Sequence, residues 1–102
     1  MDLKPGSRWK SAVCDTEIVV VRSPKAPVSL ECGGHPMIPN GSDKPAGLAL
    51  SETHAAGSQM GKRYSEDQSG MEVLCVKAGA GSLSADGNAI NAKDAKKLPA
   101  SD

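Results

Sequence analysis

The residues best able to do chemistry in this chain are its three thiols and one of its two imidazoles. Cys14, Cys32 and Cys75 supply the thiols, and His35 follows Cys32 after two glycines. The Cys32-Gly-Gly-His35 spacing is short and flexible enough to chelate a metal, and two cysteines, one histidine and an open position form a known type of zinc site. His35 also precedes Pro36, and we favour the alternative interpretation of a turn residue with no ligand role.

The composition limits the partners and the compartment. The 102 residues include twelve basic and twelve acidic side chains, for a formal net charge of zero. This balance argues against a nucleic acid or an anionic membrane as the partner, and no apolar run approaches the roughly 18 residues that a membrane span needs. The first residues, MDLKPGSRWK, lack the apolar core of a signal peptide, and an odd number of cysteines is typical of free thiols. We therefore predict a cytoplasmic protein.

Short strands joined by turns must position these side chains. One Trp, one Tyr and no Phe imply a thin core, and a body this small is usually marginal without a metal, a disulfide or a partner. The β-branched run Glu17–Arg22 is the clearest strand, and Pro24 and Pro27 require a turn after it. The predicted strands of the first part are Arg8–Val13, Glu17–Arg22 and Val28–Cys32, with turns at Cys14–Thr16, Ser23–Pro27 and Gly33–Gly34.

The later part of the chain repeats this pattern. The matching positions are Trp9 and Tyr64, Glu17–Arg22 and Glu72–Lys77, Leu30 and Leu83, Gly34 and Gly87, and Met37 and Ile90. The offset is 55 residues before the turn and 53 after it. Two residues are therefore missing from the second turn, where Ala78–Gly81 stands in place of residues 23–28.

We predict from this repeat an internal duplication. Residues 1–37 form the first unit, 38–60 a Pro/Gly/Ser-rich linker, and 61–102 the second unit with a short polar tail. His54, in the linker, is interpreted as an exposed loop histidine. The alternative is two unrelated hairpins of similar composition.

The first unit reads G-x-x-W-K-S-x-x-C-D-x-x-I-V-V-V, then a loop, then L-E-C-G-G-x-P-M. This pattern, over Gly6 to Met37 and more weakly over Gly61 to Ile90, resembles desulforedoxin and the N-terminal domain of desulfoferrodoxin. The resemblance implies a small rubredoxin-like β-fold that holds one iron between two cysteine-bearing turns. Desulforedoxin pairs two identical chains, so the expected fold class is all-β, with two desulforedoxin-like hairpin units packed as a pseudo-dimer within one chain.

The ligand positions that the resemblance implies are mostly not cysteine here. They read Ser11, Cys14, Cys32 and Gly33 in the first unit, and Glu66, Ser69, Ala85 and Asp86 in the second. A rubredoxin-type iron centre needs four thiolates, so we predict a degenerate metal site.

Three states of Cys14 and Cys32 stay open if the resemblance places them face to face. They form a reduced pair left from an abandoned site, a disulfide, or a site for zinc or iron with His35 as third ligand and water, Asp15 or Ser11 as fourth. Of these we favour the first, without a cofactor. Cys75 matches Val20 rather than a ligand position and is predicted to be a packed core thiol.

Two functions from different classes follow. The first, which the sequence favours, is a non-catalytic accessory or adaptor protein that docks on a larger protein partner, such as an enzyme complex, and is itself able to form oligomers. The second is a metal-binding or redox protein that uses Cys14 and Cys32, with or without His35. No catalytic constellation is apparent in the sequence, so we predict that the protein is not an enzyme.

Overall fold

The computed structural model describes residues 3–45, 47–66 and 69–92, and over these ranges the chain is all-β, as predicted. The strands of the first half are β1 Arg8–Lys10, β2 Glu17–Arg22, β3 Leu30–Cys32, β4 His35–Pro36 and β5 Ile38–Pro39. Those of the second half are β6 Arg63–Glu66, β7 Met71–Lys77, β8 Leu83–Ala85, β9 Asn88–Ala89 and β10 Asn91–Ala92. A 3₁₀ turn, Glu52–His54, is the only helical element in the described ranges. Most of the predicted polar tail lies beyond Ala92 and outside the described residues.

The strand boundaries follow from local chemistry. β2 coincides with the predicted β-branched run, in which Ile18 and Val20 are buried and Val21 is exposed, the alternation of a strand with one covered face. β1 is shorter than the predicted Arg8–Val13 because Ser11 ends it. Its Oγ accepts the backbone N–H groups of Val13 and Cys14, at 3.1 and 3.0 Å, and so folds the chain into a turn.

Two antiparallel sheets share the strands of both halves. The larger sheet has the order β10-β6-β7-β2-β1-β5, and the smaller has the order β4-β3-β8-β9. At the centre of each, a strand of the first half pairs with its counterpart from the second: β2 with β7, and β3 with β8. The two halves therefore complete each other's sheets by backbone hydrogen bonding.

The register of these central pairs has two-fold character. At an offset of 55 residues Ile18 corresponds to Val73 and Val20 to Cys75, and in the structure Ile18 pairs with Cys75 and Val20 with Val73. The smaller sheet behaves in the same way at an offset of 53, with Leu30 opposite Ala85, Glu31 opposite Ser84, and Cys32 opposite Leu83. The backbone pairing thus repeats at the offsets read from the sequence, whereas common descent of the two halves stays a prediction.

The hydrophobic core draws residues from both sheets. Its buried members are Leu3, Trp9, Ile18, Val20, Leu30, Cys32, Met37, Tyr64, Met71, Val73, Cys75, Leu83, Ala85 and Ile90. Val13 is only half-buried.

The segment 38–60, predicted to be a linker, packs against both halves. It begins with β5, which pairs with β1. Further on, the N–H of Ser51 donates to the carbonyl of Gly33 at 2.9 Å, and the carbonyl of His54 accepts from the N–H of Ser82 at 2.8 Å. His54 is half-buried rather than exposed. This segment therefore fastens the Gly33–Gly34 turn to the second half.

Candidate functional site

The structure brings Cys14 and Cys32 together. Cys14 lies in the turn between β1 and β2, and Cys32 lies at the end of β3 in the other sheet. Their Sγ atoms are 3.8 Å apart, and both are free thiols. Cys14 is half-buried, whereas Cys32 has no exposed surface. The two sulfurs are in contact, but only Cys14 can be reached from solvent.

Hydrogen bonds surround the Cys14 sulfur. Thr16 Oγ1 lies 3.3 Å from Cys14 Sγ, and the N–H of Gly81 donates to the same sulfur at 3.3 Å. Burial raises the pKa of Cys14, but hydrogen bonds from the Ser11 and Thr16 side chains and from the Thr16 and Gly81 backbone outweigh it. The net effect lowers the pKa of Cys14 from 9.0 to about 7, so much of the thiol is ionised near neutral pH.

Cys32 has the opposite electrostatic environment. Burial, and then the charge of the Cys14 thiolate beside it, raise the pKa of Cys32 to about 12. The pair therefore consists of one reachable thiolate and one enclosed thiol.

A buried pair of hydroxyls lies next to the sulfur of Cys14. Thr16 Oγ1 lies 2.6 Å from Ser58 Oγ, and both side chains are almost completely buried. Ser58 comes from the 38–60 segment and is held by its own N–H, which donates to the carbonyl of Gly79 at 3.0 Å. The sequence carried no signal for this contact, since Ser58 lies in a low-complexity stretch 42 residues away from Thr16.

The turn Ala78–Gly81 of the second half covers the thiol pair of the first. A Cβ on Gly81 would lie 2.9 Å from the backbone nitrogen of Gly33 and 3.0 Å from Cys32 Sγ, closer than real Cβ contacts allow. A Cβ on Gly79 would lie closer still to its neighbour, 2.5 Å from the backbone nitrogen of Thr16. The two glycines let the backbone come near enough for an N–H to reach a sulfur.

His35, the candidate third ligand, is engaged elsewhere. Its Nε2 lies 2.9 Å from the carbonyl oxygen of Ala49. Asp15 is exposed, and Ser11 Oγ already accepts two backbone N–H groups. Within the described ranges, no group of three or more His, Cys, Asp or Glu side chains is placed to hold a metal.

The iron of the resembling family therefore does not fit the residues present. Of the four implied positions, Gly33 has no side chain, and Ser11 serves as the hydrogen-bond acceptor that shapes its own turn. Two cysteine sulfurs remain where a rubredoxin-type centre needs four.

In the second half, the positions that correspond to the four implied metal ligands of the first half border a cavity of about 210 Å³. Its walls include Glu66, Ser69, Ala85 and Asp86, together with Lys25 of the proline-rich loop. The N–H of Ser69 donates to Glu66 Oε1 at 2.8 Å, the counterpart of the bond from Cys14 N–H to Ser11 Oγ. Two residues of this turn, 67 and 68, lie outside the described ranges. No thiol lines this cavity, so the thiol chemistry belongs to the first half alone.

Cys75 is separate from the pair. It lies in β7, is buried, and its Sγ lies 3.2 Å from the carbonyl oxygen of Lys77. Burial raises its pKa. These properties agree with a packed core thiol.

No family model, curated protein or solved structure matches the chain. The resemblance to desulforedoxin therefore stays a prediction. In the described ranges, the chain forms no helix of the length and apolarity that crossing a membrane requires.

Proposed function

We propose that this protein is a thiol–disulfide redox protein in which Cys14 reacts first and Cys32 second. The observation that carries this proposal is the 3.8 Å contact between a partly exposed sulfur and a fully buried one. Thiolates, not thiols, attack disulfides, and the hydrogen bonds around Cys14 favour its thiolate. The burial of Cys32 keeps it from reacting with a substrate directly.

The first step is an attack by the Cys14 thiolate on one sulfur of a substrate disulfide. A mixed disulfide forms between Cys14 and one half of the substrate, and the other half leaves as a thiolate. Once Cys14 is bonded, it no longer carries the negative charge that opposes ionisation of Cys32. Cys32 therefore becomes easier to deprotonate at the point where its sulfur is needed.

In the second step the Cys32 proton passes to the released thiolate, and the Cys32 sulfur attacks Cys14 Sγ. The Cys14–Cys32 bond forms, and the second half of the substrate leaves as a thiolate. Two electrons have then moved from the protein to the substrate disulfide, which is reduced to one thiol and one thiolate, and the thiolate takes its proton from water. The Sγ atoms must approach from 3.8 Å to the roughly 2.05 Å of a disulfide, which the Cys14 turn can allow by a small shift.

Equilibration of the full chain with mixtures of reduced and oxidised glutathione tests the proposal, with trapped thiols assigned by peptide mass mapping. We expect a Cys14–Cys32 disulfide in the wild type. Cys32→Ser should accumulate glutathione on Cys14, and Cys14→Ser should form neither product. Cys75→Ala is the matched control and should behave as the wild type. A pair that stays reduced under oxidising mixtures, or a bond that requires Cys75, would overturn the proposal.

This chemistry is compatible with the cytoplasm, where a reducing poise would return the pair to its dithiol form, and we propose that compartment. We also propose that residues 1–37 and 61–102 are two desulforedoxin-like units of one duplicated ancestor. The offset register of the central strand pairs supports this descent.

Docking on a larger protein and zinc or iron binding stay as predictions. Co-elution from the native host at a size above that of the free chain tests the first. Metal analysis of anaerobically purified protein tests the second, since stoichiometric zinc or iron on Cys14 and Cys32 would compete with disulfide formation.

A further inference from the structure

We infer that Thr16 and Ser58 are positioning residues for the thiol pair, with Ser58 fixing the Thr16 hydroxyl as a donor to whichever sulfur is ionised. This inference rests on the proposed thiol–disulfide function. It assigns a role to two residues that no sequence motif singles out.

The Thr16 hydroxyl carries a single proton and can donate only one hydrogen bond at a time. Thr16 Oγ1 lies 3.3 Å from Cys14 Sγ and 2.6 Å from Ser58 Oγ. A thiolate has no proton and can only accept, so Thr16 must donate to Cys14 when Cys14 is ionised. The remaining bond of Thr16 Oγ1 must then be accepted from the Ser58 hydroxyl. The order of donation is therefore Ser58 to Thr16 to Cys14.

Burial makes this order matter. Thr16 has no exposed surface and Ser58 has 5 %, so water has little access to replace either bond. Hydrogen bonds to charged groups are also shorter and stronger than neutral ones. Without Ser58, the Thr16 oxygen would keep its proton but lose the partner that orients it.

The same hydroxyl serves both sulfurs. The Thr16 side chain also lowers the pKa of Cys32, against the larger raising effects of burial and of the Cys14 charge. When Cys14 enters the mixed disulfide it no longer needs a donor, and the Thr16 proton becomes free to stabilise the Cys32 thiolate. One hydroxyl thus supports the two steps in turn.

Other ionisable groups surround Cys14, and the variants below leave them in place. The charge of the Cys14 thiolate acts on Cys32 in β3 and, more weakly, on Cys75 in β7. Asp15 follows Cys14 in the chain, and the Lys44 ammonium donates to the Cys14 carbonyl at 2.6 Å.

Ser58→Ala is the main variant because it removes one oxygen and leaves the fold's volume almost unchanged. Thr16→Val removes the donor itself, and Thr16→Ser restores it. The measurement is the rate of iodoacetamide alkylation of Cys14 in the reduced full chain as a function of pH, read by mass spectrometry of the Cys14 peptide. We expect the midpoint to rise by about one pH unit in Thr16→Val, which is roughly a tenfold loss of thiolate at pH 6. A smaller rise is expected in Ser58→Ala, and a return toward the wild type in Thr16→Ser.

Ser84→Ala is the matched control. Ser84 is a fully buried serine, but its hydroxyl donates to Glu31 Oε1 at 3.2 Å rather than to the thiol pair. It should lower stability without moving the midpoint. If the midpoint of Ser58→Ala, like that of Ser84→Ala, equals the wild-type midpoint, the inference is wrong. This test holds even if Thr16→Val fails to fold.

A second measurement separates this inference from the proposed function. The release of glutathione from a preformed mixed disulfide on Cys14 should be several-fold slower in Thr16→Val and Ser58→Ala than in the wild type. If the alkylation midpoint depends on Thr16 and Ser58 but the Cys14–Cys32 disulfide never forms, the proposed function is wrong and the positioning role stands. If the disulfide forms normally but neither substitution changes the midpoint or the release rate, the positioning role is wrong and the proposed function stands.

Discussion

Replacing Cys14 by serine should change how the stability of the protein depends on pH. In the folded protein the pKa of Cys14 is about 7, below its ordinary 9.0. Because the folded state favours the thiolate, Cys14 contributes stability that is largest above pH 9 and is lost as the pH falls through 7. Cys14→Ser cannot ionise, so it should lose this contribution and keep the rest of the fold.

The size of the effect follows from the lowered pKa. A fall from 9.0 to about 7 corresponds to about 2.7 kcal/mol when the thiolate is fully formed in both states. Between pH 6 and pH 9 the linkage accumulates about 2 kcal/mol of that total. Cys14 is partly exposed and solvent screens its charge, so we expect the difference between wild type and Cys14→Ser to grow by about 1–2 kcal/mol over this range.

Urea unfolding at pH 6, 7, 8 and 9, with a phosphine reductant to keep all thiols reduced, measures this difference. Cys75→Ala serves as the control because burial raises the pKa of Cys75. A raised pKa gives stability below pH 9 that declines at higher pH. The difference in unfolding free energy between wild type and Cys75→Ala should therefore not grow toward pH 9. A constant or shrinking difference between wild type and Cys14→Ser would refute the reasoning.

Three further substitutions test the geometry of the site. Gly81→Ala should cost about 1–3 kcal/mol in urea unfolding because its Cβ would overlap Gly33 and Cys32. Ala80→Ser, at an exposed position of the same turn, should be nearly neutral. Ser11→Ala leaves two backbone N–H groups of the Cys14 turn without their acceptor. We therefore expect about 1–3 kcal/mol of destabilisation and slower Cys14 alkylation at pH 7. Unchanged alkylation would contradict the role of this turn. His35→Ala loses the bond to Ala49 and should cost about 0.5–1.5 kcal/mol while disulfide formation stays normal, and a lost disulfide would show that His35 acts at the thiol pair.

The regular elements could be read from the sequence because their signals are local. The β-branched run Glu17–Arg22 predicted β2 to the residue, and the paired prolines placed the turn after it. The repeat offsets of 55 and 53 agree with the register in which the central strands pair. Side-chain alternation and turn composition are properties of neighbouring residues, so a single sequence is enough to reveal them.

The site could be predicted only in part. The resemblance placed Cys14 opposite Cys32, but it gave no account of what stabilises either sulfur. The Ser58 hydroxyl contacts Thr16, and the Gly81 N–H donates to the Cys14 sulfur. Both residues are distant from their partners in the sequence, and neither contact leaves a periodic signal. The segment 38–60 was interpreted as a linker because its composition is typical of loops, although its backbone is hydrogen-bonded to both halves.

The Ala78–Gly81 loop, which covers the sulfur pair, belongs to the second half, and that half has no cysteine at the positions corresponding to Cys14 and Cys32. The connection between β7 and β8 is two residues shorter than the one between β2 and β3, and the longer one borders an open cavity instead. If both halves descend from one ancestor, the second half has lost the cysteines at these positions but still covers the thiol pair of the first half. The length of the Ala78–Gly81 loop then matters to the thiols of the first half, because the Gly81 N–H must reach Cys14 Sγ.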